Sequence, residues 1–398
     1  MKDRLKGVVS KKSTLLILYV VFALAASVQA LLTGPKKYVE DGEQYKVYNN
    51  YVIFKQSFHH LKGQQDLYAA YPQEQWDLYK YTPTFSAFFG VFAVLPDRLG
   101  LSAWNLLNAL VLLFAVYALP RLDPLEKGLV LLIVLIELMT SMQNDQSNGL
   151  IAGLLVFSFA LLEKKQLALA AFCIVFSAFI KLFGIVGFAL FLFYPQKLKL
   201  AVYTVLWTLL LFLVPLLFVD LGHYLELFRS YANLLSNDHS TSFGYSVMGW
   251  LQTWFGLELN KNIVVGLGAV IFLVPILWSK LATNFQFRLL TLASVLLWIV
   301  IFNHKAESPT FVIAMTGMAL WFVRSEKNAM NIALFVFAFL FTSLSPTDIF
   351  PRPLREGLVV PYVLKAVPCI LIWAKVILDM LRVGRDPEAE PTSSTVER

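Results

Sequence analysis

Residues able to share one reaction gather at a few places in this chain. Asn144, Asp145, Gln146 and Asn148 fill one short turn, and Glu137 lies two helical turns before it. Lys181 ends an apolar run. Asn303, His304, Lys305, Glu307 and Ser308 fill a second turn, and Asp348, Arg352 and Arg355 follow a later apolar run. The segment between residues 34 and 100 adds Asp66, Asp77, Lys80 and tyrosines at 68, 71, 79 and 81. A carboxylate can take the proton of a hydroxyl. Lys, Arg and His can hold an anionic head group, and phosphate suits them best. Short turns are also polar simply because they touch water. The other set of turns, however, carries Lys and Arg without this mixture of Asn, Gln, Asp and His.

The elements that must position these residues are membrane spans. Of 398 residues, 58% are apolar and 15% charged, with a mean hydropathy of +0.65. Both fractions lie well outside the range of soluble domains and exclude a water-soluble globular enzyme and a disordered chain. The 33 Phe, 16 Tyr and 9 Trp suit lipid-facing surfaces and interfacial belts. The formal charge of +7 is scattered through short loops, so no nucleic acid is expected as a partner. Cys173 and Cys369 lie in long apolar runs and read as buried small hydrophobes. No CxxC or HExxH spacing occurs, and neither a metal site nor a cofactor is expected.

Apolar stretches recur at about 13–33, 101–119, 127–142, 149–163, 166–181, 183–195, 199–219, 263–279, 286–303, 308–323, 329–344 and 359–381. Lipid leaves such runs no option but helix. The stretch 82–95, bounded by Pro83 and Pro96, is short. If it spans, the basic loops at Arg121/Lys127, Lys164/Lys165, Lys197/Lys199, Lys280/Arg288 and Arg324/Lys327 are all exported. If it does not span, they face the cytoplasm, as charge bias prefers. It is therefore expected to be interfacial or re-entrant. The fold class is an all-α integral membrane protein of about twelve spans, residues 13–382, in the plasma membrane. Residues 1–12 and a disordered tail, 383–398, are expected in the cytoplasm. The mixed polar turns then share the exterior face with two loops, 34–100 and 220–262.

The first exterior loop carries its own signal. Val47, Tyr51, Phe54, Phe58 and Leu61 make an apolar stripe at helical spacing, and Gly63 marks its C-terminus. An amphipathic helix lying on the membrane surface is expected here. On that helix His59 and His60 are expected to be solvated. Asn105 and Asn108 in the second span are expected to make interhelical hydrogen bonds.

The stretch VYNNYVIFKQSFHHLKGQQDLYAAYP at 47–72, followed by DLYKYTPTFSAFF at 77–89, resembles the first exterior loop of the family 87 glycosyltransferases. The similarity lies in Gly63, the Leu67–Tyr68 pair and Tyr81–Thr82–Pro83. The NDQSN turn at 144–148 is similar to the family's Asn-Gly-Gln-x-Asn turn, and Lys181 matches the Lys ending the next hairpin. The likeness runs over roughly residues 13–345. It implies the GT-C fold, with an active site outside the cytoplasm. It further implies an inverting transferase that moves a mannose-like hexose or a pentose from a polyprenyl-phosphate donor to an envelope lipid or glycan.

The family's catalytic Asp heads the surface helix, where this chain has Asn49, followed by Asn50. An amide cannot act as a base. Asp77 and Asp66 are the nearest substitutes on the loop. Lys80, Lys181, His304, Lys305 and Arg352 are the expected contacts to the donor phosphate. Asn50, Tyr81, Asn144, Asp145, Gln146, Asn148 and Glu307 are expected to line the cavity. Span count alone also permits a transporter or lipid flippase, against which the lack of an inverted repeat stands. Asn49 permits an inactive relative that only binds lipid-linked sugar.

Overall fold

The structure, a computed structural model, describes residues 6–7, 9–38, 42–237, 243–277 and 284–385. The expected tail from residue 386 onward, most of the N-terminal segment before residue 6, the stretch 238–242 within the second loop, and Lys280 lie outside the described residues. Two compact units are present. The first holds residues 1–188, 196–242 and 307–313; the second holds 189–195, 243–306 and 314–398.

In the first unit, α1 (Lys12–Leu32) leads into a two-stranded ribbon, β1 (Lys36–Lys37) and β2 (Gln44–Tyr45), and then α2 (Asn49–Lys62). There follow α3 (Pro83–Ala93), α4 (Asp97–Ala118), α5 (Pro124–Gln143), α6 (Asn148–Glu163), α7 (Leu167–Ile180), α8 (Lys197–Leu213) and α9 (Leu221–Asn237). The second unit is built from α10 (Val247–Phe255), α11 (Lys261–Leu277), α12 (Phe285–Ile301), α14 (Ala329–Ala338), α15 (Arg352–Leu354), α16 (Val367–Arg385) and most of α13 (Phe311–Arg324). Among the described residues the regular structure is thus helical apart from the ribbon, as the composition requires. Helices Lys12–Leu32, Asp97–Ala118 and Lys197–Leu217 are long and apolar enough to cross a membrane.

Local chemistry sets the boundaries. Asp123 opens α5 with a capping box, its side chain accepting from the Glu126 N–H while Glu126 accepts from the Asp123 N–H. Thr82 accepts from the Phe85 N–H at 3.2 Å, with Pro83 at the first helical position of α3. Gly63 closes α2 as expected.

The structure corrects one sequence expectation and refines two others. The stripe of α2 faces protein instead of lipid. Phe54 meets Phe85 at 5.2 Å, Phe89 at 5.3 Å and Trp104 at 5.9 Å between ring centroids, mostly edge to face. The stretch 82–95, expected to be interfacial or re-entrant, forms a helix packed into protein, since all residues of α3 except Phe88 and Val91 are buried. An aromatic cluster contributed by α2, α3 and α4 absorbs both apolar faces. The run at 183–195 is a 3-10 helix, Leu182–Phe193, instead of an α-helix. At about 2 Å per residue this winding stretches a short run to about 24 Å, which offsets its shortness. It also presses Gly184 onto α7, where a Cβ would lie 2.6 Å from the Ser177 carbonyl carbon.

Close packing in the first unit depends on small residues in α6. Gly149 and Gly153 are one turn apart. A Cβ at Gly153 would stand 2.8 Å from the Leu112 backbone nitrogen and 2.9 Å from the Val111 carbonyl carbon. Two helices approach this closely only where no side chain intervenes. Backbone cannot step aside as a flexible side chain can. Gly153→Val should therefore cost about 1–3 kcal/mol by overpacking. A fall in the melting temperature of the detergent-solubilised protein would register it. An unchanged melting temperature would contradict this packing.

In the second unit α12 and α16 pack together, with the Trp373 indole donating to Ser294 Oγ at 2.9 Å. Trp321 donates to Asp379 at 2.9 Å, and Asp379 also pairs with Lys375, so this buried lysine is matched by a carboxylate.

Candidate functional site

Tyr81, Gln146, Asn148 and Lys181 meet in the first unit although a hundred residues of sequence separate the first from the last. Three connections bring them together. Trp104 and Asn108 of α4 grip the 144–148 turn from two sides. The Trp104 indole donates to the Asp145 carbonyl at 2.9 Å, and Asn108 Oδ1 accepts from the Leu150 N–H at 2.8 Å. Asn105 donates to Ser27 Oγ at 3.0 Å, the interhelical bond expected of it. Thr82 Oγ1 donates to the Phe179 carbonyl at 2.5 Å, which fixes the head of α3 beside the end of α7. Tyr68 and Tyr79 then lock the backbone around Tyr81, donating to the carbonyls of Tyr81 at 2.9 Å and Thr82 at 2.7 Å.

Lys181 is half-buried at the end of α7. Its ammonium donates to Gln146 Oε1 and Asn148 Oδ1, both at 3.0 Å. It also lies 5.5 Å from the Tyr81 ring centroid and 5.8 Å from that of Phe183. The Tyr81 hydroxyl donates to Gln146 Oε1 at 3.2 Å, and Asn148 Nδ2 donates to the Pro309 carbonyl at 3.1 Å. All of these direct contacts to the ammonium are neutral. Among the described residues no carboxylate stands within ion-pair distance of it. Glu307, exposed at the start of the short 3-10 helix Ser308–Thr310, lies within electrostatic reach of both Lys181 and Tyr81. Asp77 lies within reach of Tyr81.

The remaining carboxylates differ in their circumstances. Asp77 is half-exposed, accepts from the Leu78 N–H at 2.7 Å and pairs with Lys80 at 2.9 Å. Lys80 is thereby engaged at the surface. Asp66 uses both oxygens to hold the loop, accepting from the Tyr68 N–H at 3.0 Å and from Ser230 Oγ at 2.8 Å. Asp145 was expected to line a cavity, but its carboxylate is fully buried and neither oxygen has a hydrogen-bond partner. It sits in the turn with a left-handed φ of +52°, which Asp tolerates better than most residues. Burial pushes the Asp145 carboxyl above the usual carboxylate range, and its buried oxygens cannot reach an acceptor hydroxyl.

Asn49 does not reach the ammonium; its Oδ1 accepts from the Trp76 N–H at 3.1 Å. Asn50 Nδ2 donates to the Asn144 carbonyl at 2.8 Å and ties α2 to the turn. His304, Lys305 and Arg352 belong to the second unit, where Arg352 pairs with Glu356 at 2.6 Å. His60 is buried, contrary to expectation. Its Nε2 lies 2.9 Å from Glu74, its ring stacks on Tyr71 at 3.8 Å, and burial lowers its pKa against the opposing pull of Glu74. Thr82, Trp104 and Asn108 act as braces that sequence reasoning did not assign to the site. The Tyr-x-Pro entry and the amides in α4 were their only signals.

Two surface hollows lie elsewhere. One of about 280 Å³ includes Lys165 and Lys199, at the opposite end of α7 from Lys181, and one of about 340 Å³ in the second unit includes Trp254 and Tyr362. Neither is lined by a carboxylate, so neither can supply a base. Among the described residues no cluster of His, Cys, Asp and Glu could hold a metal ion.

Residues 79–302 match the family model described as glycosyltransferase family 87. The match begins two residues before Tyr81 and takes in the 144–148 turn and Lys181. No curated protein matches the chain.

Proposed function

The chain belongs to glycosyltransferase family 87, a family of membrane glycosyltransferases, and from that membership we propose that the Lys181 node receives the phosphate of a lipid-linked sugar donor. One observation carries the reading. A half-buried ammonium is oriented by two amide oxygens and two aromatic faces but neutralised by none of them. Such a group gains most from an incoming anion. The donor is a polyprenyl-phosphate sugar carrying a mannose-like hexose or a pentose. The acceptor is a hydroxyl of an envelope lipid or glycan.

In this reading Glu307 removes the acceptor proton. The acceptor oxygen attacks the anomeric carbon from the face opposite the phosphate, so configuration inverts. The bond between that carbon and the phosphate oxygen breaks, and the electron pair leaves with the polyprenyl phosphate. Lys181 stabilises the charge that develops there. Glu307 is supported over Asp77 because it lies within reach of both Lys181 and Tyr81, and over Asp66 and Asp145 because their oxygens are committed or buried. Purified protein in nanodiscs, given radiolabelled polyprenyl-phosphate sugars and an envelope lipid extract, should produce labelled glycolipid. No product across mannosyl, glucosyl and arabinosyl donors would count against the proposal.

The same proposal places the node on the exterior face, at the plasma membrane, with both termini cytoplasmic. Charge bias supports this, since Lys164 and Lys165 flank one end of α6 while the other end carries the NDQSN turn. On a cysteine-free background, a cysteine at Asn144 should react with an impermeant maleimide in intact cells, and one at Lys164 should react only after lysis. Both positions are exposed, so access is not limited by packing. The reverse pattern would put the node in the cytoplasm.

A further inference from the structure

Three aromatic rings in the first loop are left over by the transfer chemistry. Tyr38 stacks on Trp76 with ring centroids 5.6 Å apart and planes 11° from parallel. Tyr45 meets Trp76 at 6.0 Å in a tilted contact and Tyr38 at 6.2 Å edge to face. Trp76 nevertheless remains 42% exposed. Rings grouped for packing alone would be expected to turn inward, as Tyr51, Phe54 and Phe85 do in the same unit.

The group is held in place by the backbone. Strand pairing sets Lys36 opposite Tyr45, and the Tyr45 hydroxyl donates to the Pro72 carbonyl at 2.8 Å. The Trp76 N–H is anchored on Asn49 Oδ1. A tryptophan fixed this way loses little freedom when a ligand settles on it. The rim is polar: Lys36, whose ammonium lies 4.5 Å from the Tyr38 centroid, with Lys37, Gln44 and Lys46, all exposed. The Tyr38 hydroxyl is also within electrostatic reach of Asp145, in the turn whose Gln146 and Asn148 hold Lys181.

We infer that Trp76, Tyr38 and Tyr45 form a stacking platform for one sugar ring of the acceptor glycan. A sugar ring presents C–H groups on its faces and hydroxyls around its edge. Flat aromatic rings with a polar rim complement both features. The charged rim opposes insertion into hydrocarbon, which argues for a glycan over a lipid tail. The donor sugar is a poorer match, because it is bonded to the phosphate and must stay at Lys181. Calling the ring an acceptor rests on the proposed transferase reading; the affinity for saccharide does not.

The test uses the full chain in nanodiscs, labelled with 5-fluorotryptophan. The Trp76 resonance is assigned by its loss in Trp76→Phe. Methyl α-mannopyranoside, mannotriose and arabinotriose serve as probes. At least one should move the Trp76 resonance saturably. Trp76→Ala should raise the apparent acceptor KM about tenfold or more with kcat little changed, and Trp76→Phe should stay within about threefold of the parent. The inference is overturned if no saccharide moves the resonance, if it responds only to a change of nanodisc lipid, or if Trp76→Ala leaves the acceptor KM unchanged. Saccharide binding at Trp76 without any transfer would leave the platform standing and remove the transferase reading. Transfer with an unchanged KM in Trp76→Ala would do the opposite.

Discussion

Lys181→Met should lower the rate of sugar transfer by about 10²–10³-fold, the usual loss when one oriented stabiliser of developing charge is removed. The loss should appear mainly in kcat, because the charge on the departing phosphate is greatest in the transition state. Methionine keeps the length of the stem and its contact with Tyr81 and Phe183, so packing changes little. It leaves Gln146 Oε1 with the Tyr81 hydroxyl as donor and strips Asn148 Oδ1 of its lysine donor. A modest fall in melting temperature is therefore expected alongside the kinetic loss, at about 1–3 kcal/mol for an unsatisfied buried acceptor. Lys181→Arg keeps the charge but not the geometry and should recover part of the rate. A near-normal rate for Lys181→Met would remove the phosphate from this node.

The second large effect concerns the base. Glu307→Gln should reduce turnover by about 10²–10⁴-fold, with Asp77→Asn costing less than about tenfold. Glutamine preserves the shape of the side chain and its exposure while removing its ability to take a proton. Asp77 shares its charge with Lys80, and its other oxygen holds the Leu78 N–H, so its loss should loosen the loop more than it slows chemistry. A steady-state assay with saturating donor separates the two. The opposite ranking would restore the first-loop carboxylate that the sequence alone favours. Full activity in both single variants and in the double variant would exclude both carboxylates as the base.

Much of the fold is legible in the sequence because the bilayer leaves few choices. Gly63 marks the end of α2 in the sequence, and the helix closes there. Hydropathy cannot report winding, and so Leu182–Phe193 reads as an α-helix when it is 3-10. Periodicity finds the stripe on α2 but does not say what covers it. Lipid and a wall of phenylalanine satisfy the same pattern, and α3 supplies the wall.

The site is legible in its residues and illegible in its grouping. Tyr81, Gln146, Asn148 and Lys181 all stand out as polar residues at apolar boundaries. Only the fold shows that Thr82 bonding to Phe179 sets the first of them beside the last. Asp145 looks like its neighbours in sequence, yet the fold buries it completely. His304, Lys305 and Arg352 share the right chemistry with Lys181, but they belong to the second unit. Trp76 carries no sequence signal of its own, because a tryptophan in a loop of a membrane protein also fits an interfacial belt.

The most direct measurement is the structure of the protein with a non-transferable polyprenyl-phosphonate sugar analogue bound, determined by electron cryomicroscopy. The phosphorus atom should lie within about 4 Å of Lys181 Nζ, with the sugar between it and Glu307. A phosphonate held with Lys181 still bonded only to Gln146 and Asn148 would contradict the account.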